Sequence, residues 1–140
     1  MTIDYNEFNK QIIKEFRENG GRVGGMFEGA PLVLLTTTGA KSGRRVTTPV
    51  MYLKDDDRYV VIASKGGDDS NPAWYHNLVA TPAATAEIGT ETFEVKAVVA
   101  EGEERDRLYA RMVEQAPQFA EYEKKTTRRI PVVTLVRTDA

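Results

Sequence analysis

The fold is decided by residues 32–54, which read LVLLTTTGAKSGRRVTTPVMYLK. The first seven residues are aliphatic or β-branched, a pattern typical of a largely buried strand. A tight turn from Gly39 to Gly43 follows, and the chain then returns as a second strand from Arg45 to Lys54. Pro49 has no N–H to donate to a sheet, so this second strand is expected at an edge or a bulge.

Further strands and short turns extend this pattern on the C-terminal side. Asp55-Asp56-Asp57 predicts a turn into a third strand, and Gly89-Thr90 predicts the turn of another hairpin. Because the connections between consecutive strands are short, an antiparallel sheet curled into a small barrel fits better than parallel winding. The predicted class is therefore mainly β or α+β. The additional strands are Arg58 to Ala63, Ala84 to Ile88, Phe93 to Val99 and Ile130 to Val136.

Helices are predicted around these strands. Apolar residues at spacings of three and four indicate an amphipathic helix within residues 1–20, ended by Asn19-Gly20-Gly21. Asn71 is suited to an N-cap and Pro72 to a first helical position, which predicts a helix from Pro72 to about Val79. Two more helices are predicted from Glu103 to Gln115 and from Phe119 to about Thr126.

Composition narrows the function. A chain of 140 residues with 41% hydrophobic residues is expected to form one domain over residues 1–140. It has no cysteine, which excludes disulfides, thiolate catalysis and thiolate metal sites. A net charge of −2 argues against a general nucleic-acid binder. No signal peptide or membrane span is recognisable, so a cytoplasmic location is expected.

Basic residues cluster at two glycine-bearing turns. Lys41, Ser42, Arg44 and Arg45 lie in or beside the first turn, and Lys65 precedes Gly66-Gly67 in the second. Backbone N–H groups exposed by glycine, together with such cations, are suited to phosphate or carboxylate groups. A solvated turn beside an ordinary lysine is the alternative, and the two interpretations are evenly balanced.

Aromatic residues follow at two places. Trp74 and Tyr75 lie in the predicted second helix. For Trp74, packing in the core is slightly favoured over stacking against a flat ligand. His76 is the single histidine and cannot form a usual metal site without a second histidine or a cysteine, so no metal is expected. Phe119 and Tyr122 are three residues apart on the last helix, where they either pack in the core or line the mouth of a pocket.

Four stretches together carry a resemblance to a known family: residues 34–43 (LLTTTGAKSG), 45–49 (RVTTP), 63–67 (ASKGG) and 71–78 (NPAWYHNL). They resemble the deazaflavin (coenzyme F420)-dependent nitroreductase family of actinobacteria, from about residue 24 to the final strand. The resemblance implies a split β-barrel, similar to flavin mononucleotide-binding barrels, that passes a hydride from reduced F420 to a small organic acceptor.

The resemblance also implies a set of site residues. The phosphate and oligoglutamate tail of F420 would be held by Ala40, Lys41 and Ser42, with charge added by Arg44, Arg45 and Lys65. The deazaflavin ring would be bordered by Val46, Thr47, Thr48, Pro49, Val50, Met51, Ile62, Ala63, Ser64 and Lys65 on one side, and by Ala73, Trp74, Tyr75, His76 and Asn77 on the other.

Catalysis in such a protein belongs mainly to the coenzyme, and the protein supplies orientation, electrostatics and water exclusion. We expect Ser64 to orient the acceptor or relay a proton, with Tyr122 as a second candidate and solvent as the alternative. Phe119 and Tyr122 are expected to contact the acceptor. Nitro-reducing relatives carry tyrosines at positions equivalent to Ala116, Phe119 and Tyr122, and only Tyr122 remains here, which favours enones, coumarin-like lactones or quinones over nitro compounds.

Two other functions stay open at this point. One is a split-barrel oxidoreductase that uses flavin mononucleotide, and the other is a non-catalytic protein that binds or carries F420. Contact of the first helix with a lipid surface is a weaker alternative to simple packing, because its basic and acidic residues are balanced. The oligomeric state, monomer or homodimer, is left open.

Overall fold

Six strands form the sheet: β1 (Leu32–Thr38), β2 (Arg45–Asp55), β3 (Arg58–Ile62), β4 (Ala83–Ile88), β5 (Glu91–Val99) and β6 (Val132–Arg137). The computed structural model describes residues 5–24, 29, 31–67 and 70–138. Every pairing is antiparallel, and the strands close into a barrel in the order β1-β2-β3-β6-β5-β4. The predicted antiparallel barrel is confirmed, with strand ends within a few residues of the predicted ones.

Four helices flank the barrel: α1 (Tyr5–Glu18), α2 (Ala73–Ala80), α3 (Gly102–Gln115) and α4 (Gln118–Lys125). No described helix is both long enough and apolar enough to cross a membrane. All four were predicted, although residues 1–4 of the predicted first segment lie outside the described residues. The short 3-10 turn Lys65–Gly67 was not predicted.

One predicted helix cap is wrong. Pro72, not Asn71, occupies the N-cap position of α2, with φ −68° and ψ 155°, and no side chain caps the helix. The amide oxygen of Asn71 instead accepts a hydrogen bond from the Arg128 guanidinium at 2.7 Å. A charged donor from a distant segment therefore replaces the local bond that sequence pattern alone suggests.

The core has an interior part and two exterior parts. Aliphatic side chains from alternate positions of the strands fill the barrel, and Trp74 and Leu78 of α2 pack against them. Outside the barrel, Leu108 and Met112 of α3 cover β3 and β6. On another outer side, Phe16 of α1 packs over β1. Met51 of β2 contacts both exterior clusters, so it lies between α1 and the pair α3 and α4.

The barrel is split between β2 and β3. Residues 45–51 of β2 pair with β1, whereas β2 pairs with β3 only from Tyr52 to Asp55. The segment of β2 that contains Pro49 therefore has no ladder partner on its β3 side among the described strands. Because proline lacks an N–H, it is tolerated at such an open edge. This confirms the edge position expected for Pro49.

At the opposite end of β2, a cluster of charged side chains surrounds Asp55. Asp55 is 4% exposed and accepts hydrogen bonds from Arg58 at 2.9 and 3.1 Å and from Arg107 at 3.4 Å, and Arg111 bonds to it as well. Hydrogen bonding by Arg107, reinforced by Arg58, outweighs burial and holds the pKa of the Asp55 carboxyl below its usual value. These bonds fasten the β2–β3 hairpin to α3.

We predict that Asp55→Asn lowers the free energy of unfolding by about 1.5–3 kcal/mol at pH 7, because charge-assisted hydrogen bonds are lost. Since the folded pKa is depressed, this stabilisation is complete above the unfolded pKa of about 4 and is lost as pH falls through the folded pKa. Urea unfolding followed by Trp74 fluorescence at several pH values measures it. Asp57→Asn, at an exposed position, is the matched control. A deficit that stays constant down to about pH 3 would contradict this role of Asp55.

Candidate functional site

A pocket of about 290 Å³ opens where β2 and β3 separate. Its walls come from β2, from the end of β3 and the turn after it, from the start of α2, and from α4. The lining residues are Pro49, Val50, Met51, Ile62, Ser64, Lys65, Pro72, Trp74, Gln118, Phe119 and Tyr122. Segments up to about seventy positions apart in the sequence are thus brought to one concave surface.

Nine of these residues were predicted as site residues from the sequence, in two separate groups. The residues expected at the ring and the two expected at the acceptor, Phe119 and Tyr122, line the same pocket. Pro72 and Gln118 were missed. Pro72 directly precedes the predicted stretch 73–77, and Gln118 is the first residue of α4, so both could have been found by extending the predicted segments by one residue.

The pocket lining combines aromatic and polar side chains. Phe119 and Tyr122 pack edge to face, with ring centroids 5.1 Å apart and an interplanar angle of 77°, and form an aromatic wall on α4. Ser64 and Lys65 add hydroxyl and ammonium groups to the lining. Trp74 is 7% exposed, and it packs in the barrel core as well as lining the pocket. The site therefore combines apolar surface for a flat ring with a few polar groups, as ligand sites usually do.

α3 holds the aromatic wall in place. The Tyr109 hydroxyl donates to the Phe119 carbonyl at 2.6 Å. Burial, with a smaller contribution from the Glu123 carboxylate, raises the pKa of the Tyr109 phenol to about 12, so the hydroxyl keeps its proton and remains a donor. The buried Arg105 guanidinium donates to the Ile130 carbonyl at 2.7 and 3.1 Å. Together these bonds connect α4, α3 and the segment leading into β6.

The turn after β3 has an unusual backbone. Lys65 has φ +48°, in the left-handed region that side-chain-bearing residues rarely adopt. Gly67 has φ +86°, and a Cβ there would lie 2.9 Å from Lys125 Cβ and 3.1 Å from the Tyr122 carbonyl oxygen. The turn is thus packed directly against α4. Lys65 Nζ donates to Ser70 Oγ at 3.1 Å, and this bond keeps the ammonium group close to the turn.

The β1–β2 turn is joined to α2 by a single side chain. Asn77 Oδ1 accepts from the Ala40 N–H at 2.9 Å, and Asn77 Nδ2 donates to Thr37 Oγ1 at 3.0 Å. Within the turn, Ser42 Oγ accepts from the Arg44 N–H at 3.1 Å. The Ala40 amide predicted to bind phosphate is therefore occupied, whereas the Ser42 hydroxyl keeps its own hydrogen for donation. Trp74 and Asn77 are three residues apart, about 4.5 Å along α2, so the helix connects the pocket to this turn.

The predicted cations divide into two groups. Within the part of the chain that the structure describes, Lys41 and Arg44 are exposed and form no ion pair. Arg45 instead donates to Thr38 Oγ1 at 3.1 Å and to Thr85 Oγ1 at 2.7 Å, which directs its guanidinium across β1 towards β4. Lys41 and Arg44 therefore remain the better candidates for an anion beside α2.

The other predicted residues lie outside the pocket lining. Thr47 bonds to Thr36 at 2.7 Å and borders a separate cavity of about 570 Å³ beneath α1. Val46 is exposed, and the pocket is also not lined by Thr48, Ala63, Ala73, Tyr75, His76 or Asn77. His76 is exposed and stacks edge-on against Tyr75 at 5.6 Å. The described residues contain no cluster of three potential metal ligands.

Comparisons with known proteins agree with this geometry. The profile of the F420H(2)-dependent quinone reductase family matches residues 9–137. The chain is 41% identical over 128 residues to an F420H(2)-dependent quinone reductase of Mycobacterium tuberculosis, with 87% of this chain and 85% of that protein covered.

Solved structures show the same likeness. A structure of an F420-H2 dependent reductase (FDR-A) is 42% identical with a TM-score of 0.70, covering 75% of this chain and 93% of that one. Another, described as a domain-swapped dimer, is 36% identical with a TM-score of 0.72, covering 94% and 99%. HutZ of Vibrio cholerae, a haem storage protein, is 18% identical with a TM-score of 0.62, covering 94% and 92%, and shows the split-barrel fold alone. The chain belongs to the F420H(2)-dependent quinone reductase family and is a reductase that depends on coenzyme F420.

Proposed function

We propose that the pocket between β2 and β3 holds the deazaflavin ring of F420 beside a quinone acceptor, and that the acceptor lies against the aromatic wall of α4. The observation that supports this most is the convergence of Ser64, Lys65 and Trp74 with Phe119 and Tyr122 on one cavity. When bound, reduced F420 supplies a hydride. The residues of the pocket hold and orient the reactants and exclude water from them.

The donor set fits the coenzyme in two parts. The pocket, at about 290 Å³, is near the lower end of the size range of small-molecule sites, which suits a ring rather than the whole coenzyme. The anionic phosphate and glutamate groups must then lie outside it, along α2. Lys41 and Arg44 in the β1–β2 turn and Lys65 beside the pocket are the cations assigned to them. The Ser42 hydroxyl adds a neutral donor.

Reduction of a quinone needs a proton as well as a hydride. Ser64 and Tyr122 both line the pocket, and each carries a hydroxyl group that can donate to an acceptor oxygen. We assign Ser64 to orienting the acceptor or relaying the proton, and Tyr122 as the second donor. Solvent is the alternative source.

The aromatic wall favours a quinone over a nitro compound. Ala116 is buried and Phe119 lines the pocket, so neither position presents a hydroxyl group to the acceptor. A flat, largely apolar acceptor gains from contact with Phe119 and needs few polar partners beyond those at its oxygens. Enones and coumarin-like lactones share this shape, and we place them after quinones in the expected order of turnover.

We predict that the purified protein binds F420 and quenches or shifts its fluorescence, while flavin mononucleotide and NADPH leave Trp74 fluorescence unchanged. With reduced F420 present, menadione should be turned over faster than a coumarin, and a nitroimidazole most slowly. Saturable binding of flavin mononucleotide instead of F420 would overturn the assignment of the ring pocket. Binding of F420 without turnover of any acceptor would indicate a carrier.

The charged part of the site is tested by removing its lysines. Lys41→Ala and Lys65→Ala should each weaken F420 binding by about 1.5–3 kcal/mol if each ammonium group makes one charge-assisted hydrogen bond to the coenzyme. The loss should shrink at high salt because both side chains are exposed. Lys96→Ala, an exposed lysine of β5, is the charge-matched control. Unchanged affinity in the double variant would remove the assignment.

The two hydroxyl groups are tested separately. Tyr122→Phe deletes only the hydroxyl oxygen and preserves the edge-to-face packing against Phe119. Ser64→Ala likewise deletes only the hydroxyl oxygen of Ser64. We expect one of them to lower kcat for menadione by at least about a hundredfold, the range of general acid catalysis, with the F420 dissociation constant unchanged. If both variants keep the wild-type kcat, solvent is the proton source.

A further inference from the structure

We propose that Arg128 is a positioning residue that sets the conformation of the Ser64–Lys65 segment and thereby the coenzyme side of the pocket. The inference rests on the proposed assignment of Ser64 and Lys65 to that site. Arg128 does not line the pocket itself. It acts through backbone and side-chain oxygens of the segment that does.

The Arg128 guanidinium bridges both ends of the segment between β3 and α2. Its Nη2 donates to the carbonyls of Ala63 at 3.2 Å and Ser64 at 3.0 Å, and its Nη1 donates to Asn71 Oδ1 at 2.7 Å. The planar, always charged fork of arginine can serve three such oxygens at once, whereas the single ammonium group of lysine cannot do so in the same geometry. One side chain therefore ties the start of the segment to its end.

The Ser64 carbonyl is the centre of this arrangement. It accepts from Arg128 and also from the Gly67 N–H at 2.9 Å, so both of its lone pairs are occupied. Fixing this carbonyl fixes the peptide plane that links Ser64 to Lys65, and with it the directions in which both side chains leave the backbone. Arg128 thus controls two pocket residues through one oxygen.

The backbone needs such support. Lys65 carries a side chain and has φ +48°, a conformation that persists only where the surrounding structure holds it. Close packing of Gly67 against Lys125 and the Tyr122 carbonyl supports the turn from the side of α4. Arg128 supplies a second support through the Ala63 and Ser64 carbonyls. Without it, the segment is expected to relax towards ordinary backbone angles and to carry the Lys65 ammonium away from the pocket.

A test in the coenzyme-free protein separates this role from the assignment of the site. Hydrogen exchange of peptides covering residues 63–71 reports the Gly67 amide that bonds to the Ser64 carbonyl. Arg128→Lys should speed this exchange at least about tenfold, the equivalent of one charge-assisted hydrogen bond. Arg129→Lys is the matched control, since Arg129 is exposed and forms a surface ion pair with Asp106. Equal exchange in both variants would overturn the proposal.

A double-mutant cycle tests the link to the site. Arg128→Lys should raise the F420 dissociation constant about tenfold in the wild-type background and less than about threefold when Lys65 is already alanine, because both changes act through one group. If the two substitutions instead multiply in their effects on the F420 dissociation constant, Arg128 acts by general destabilisation and the positioning role is overturned. If Arg128→Lys folds poorly, Asn71→Ala replaces it in the cycle. Asn71→Ala removes one acceptor of the guanidinium and is expected to show the same coupling to Lys65→Ala. If wild type itself does not bind F420, the site assignment fails, whereas the exchange result stands.

Discussion

The structure depends on the separation of β2 from β3 at the Tyr52–Val61 pair. From that pair to the hairpin at Asp55 and Arg58, the two strands share a ladder. On the other side of the pair, β2 residues 45–51 pair with β1 and not with β3, and β3 leads into the left-handed turn at Lys65. A fully paired barrel would put backbone hydrogen bonds where the pocket lies. The site is therefore a gap in a ladder rather than a hollow in the core.

The gap has two independently supported walls. α2 forms one of them, and the Asn77 amide joins it to the β1–β2 turn. α4 forms the other, and Tyr109 and Arg105 fasten it through α3 to the segment before β6. The turn at Gly67 packs against α4. Polar networks thus sit behind the pocket, and the lining itself stays largely apolar.

The barrel was predictable from local pattern, because β-branched runs and short turns restrict the chain to antiparallel pairing. Most pocket residues were predicted through the family resemblance, and these include residues within 49–51 and 62–65. Three features were not: the Asn77 bond to Ala40, the engagement of Arg45 by Thr85, and the Arg128 bridge. Each joins residues 37 to 65 positions apart. Side-chain bonds over such distances leave no periodic signal in the sequence, so the bonds of Ala40 and Arg45 could not be predicted from it.

Pro49 has a consequence beyond ligand binding. An unpaired strand edge invites addition of a strand from another molecule, which is a route to aggregation. Because Pro49 has no N–H to donate, it interrupts any ladder that another strand could form along this edge of β2. α1 and α4 flank the same stretch and restrict sideways approach. The open edge at the pocket is thereby a poor template for backbone pairing, although the sheet is interrupted there.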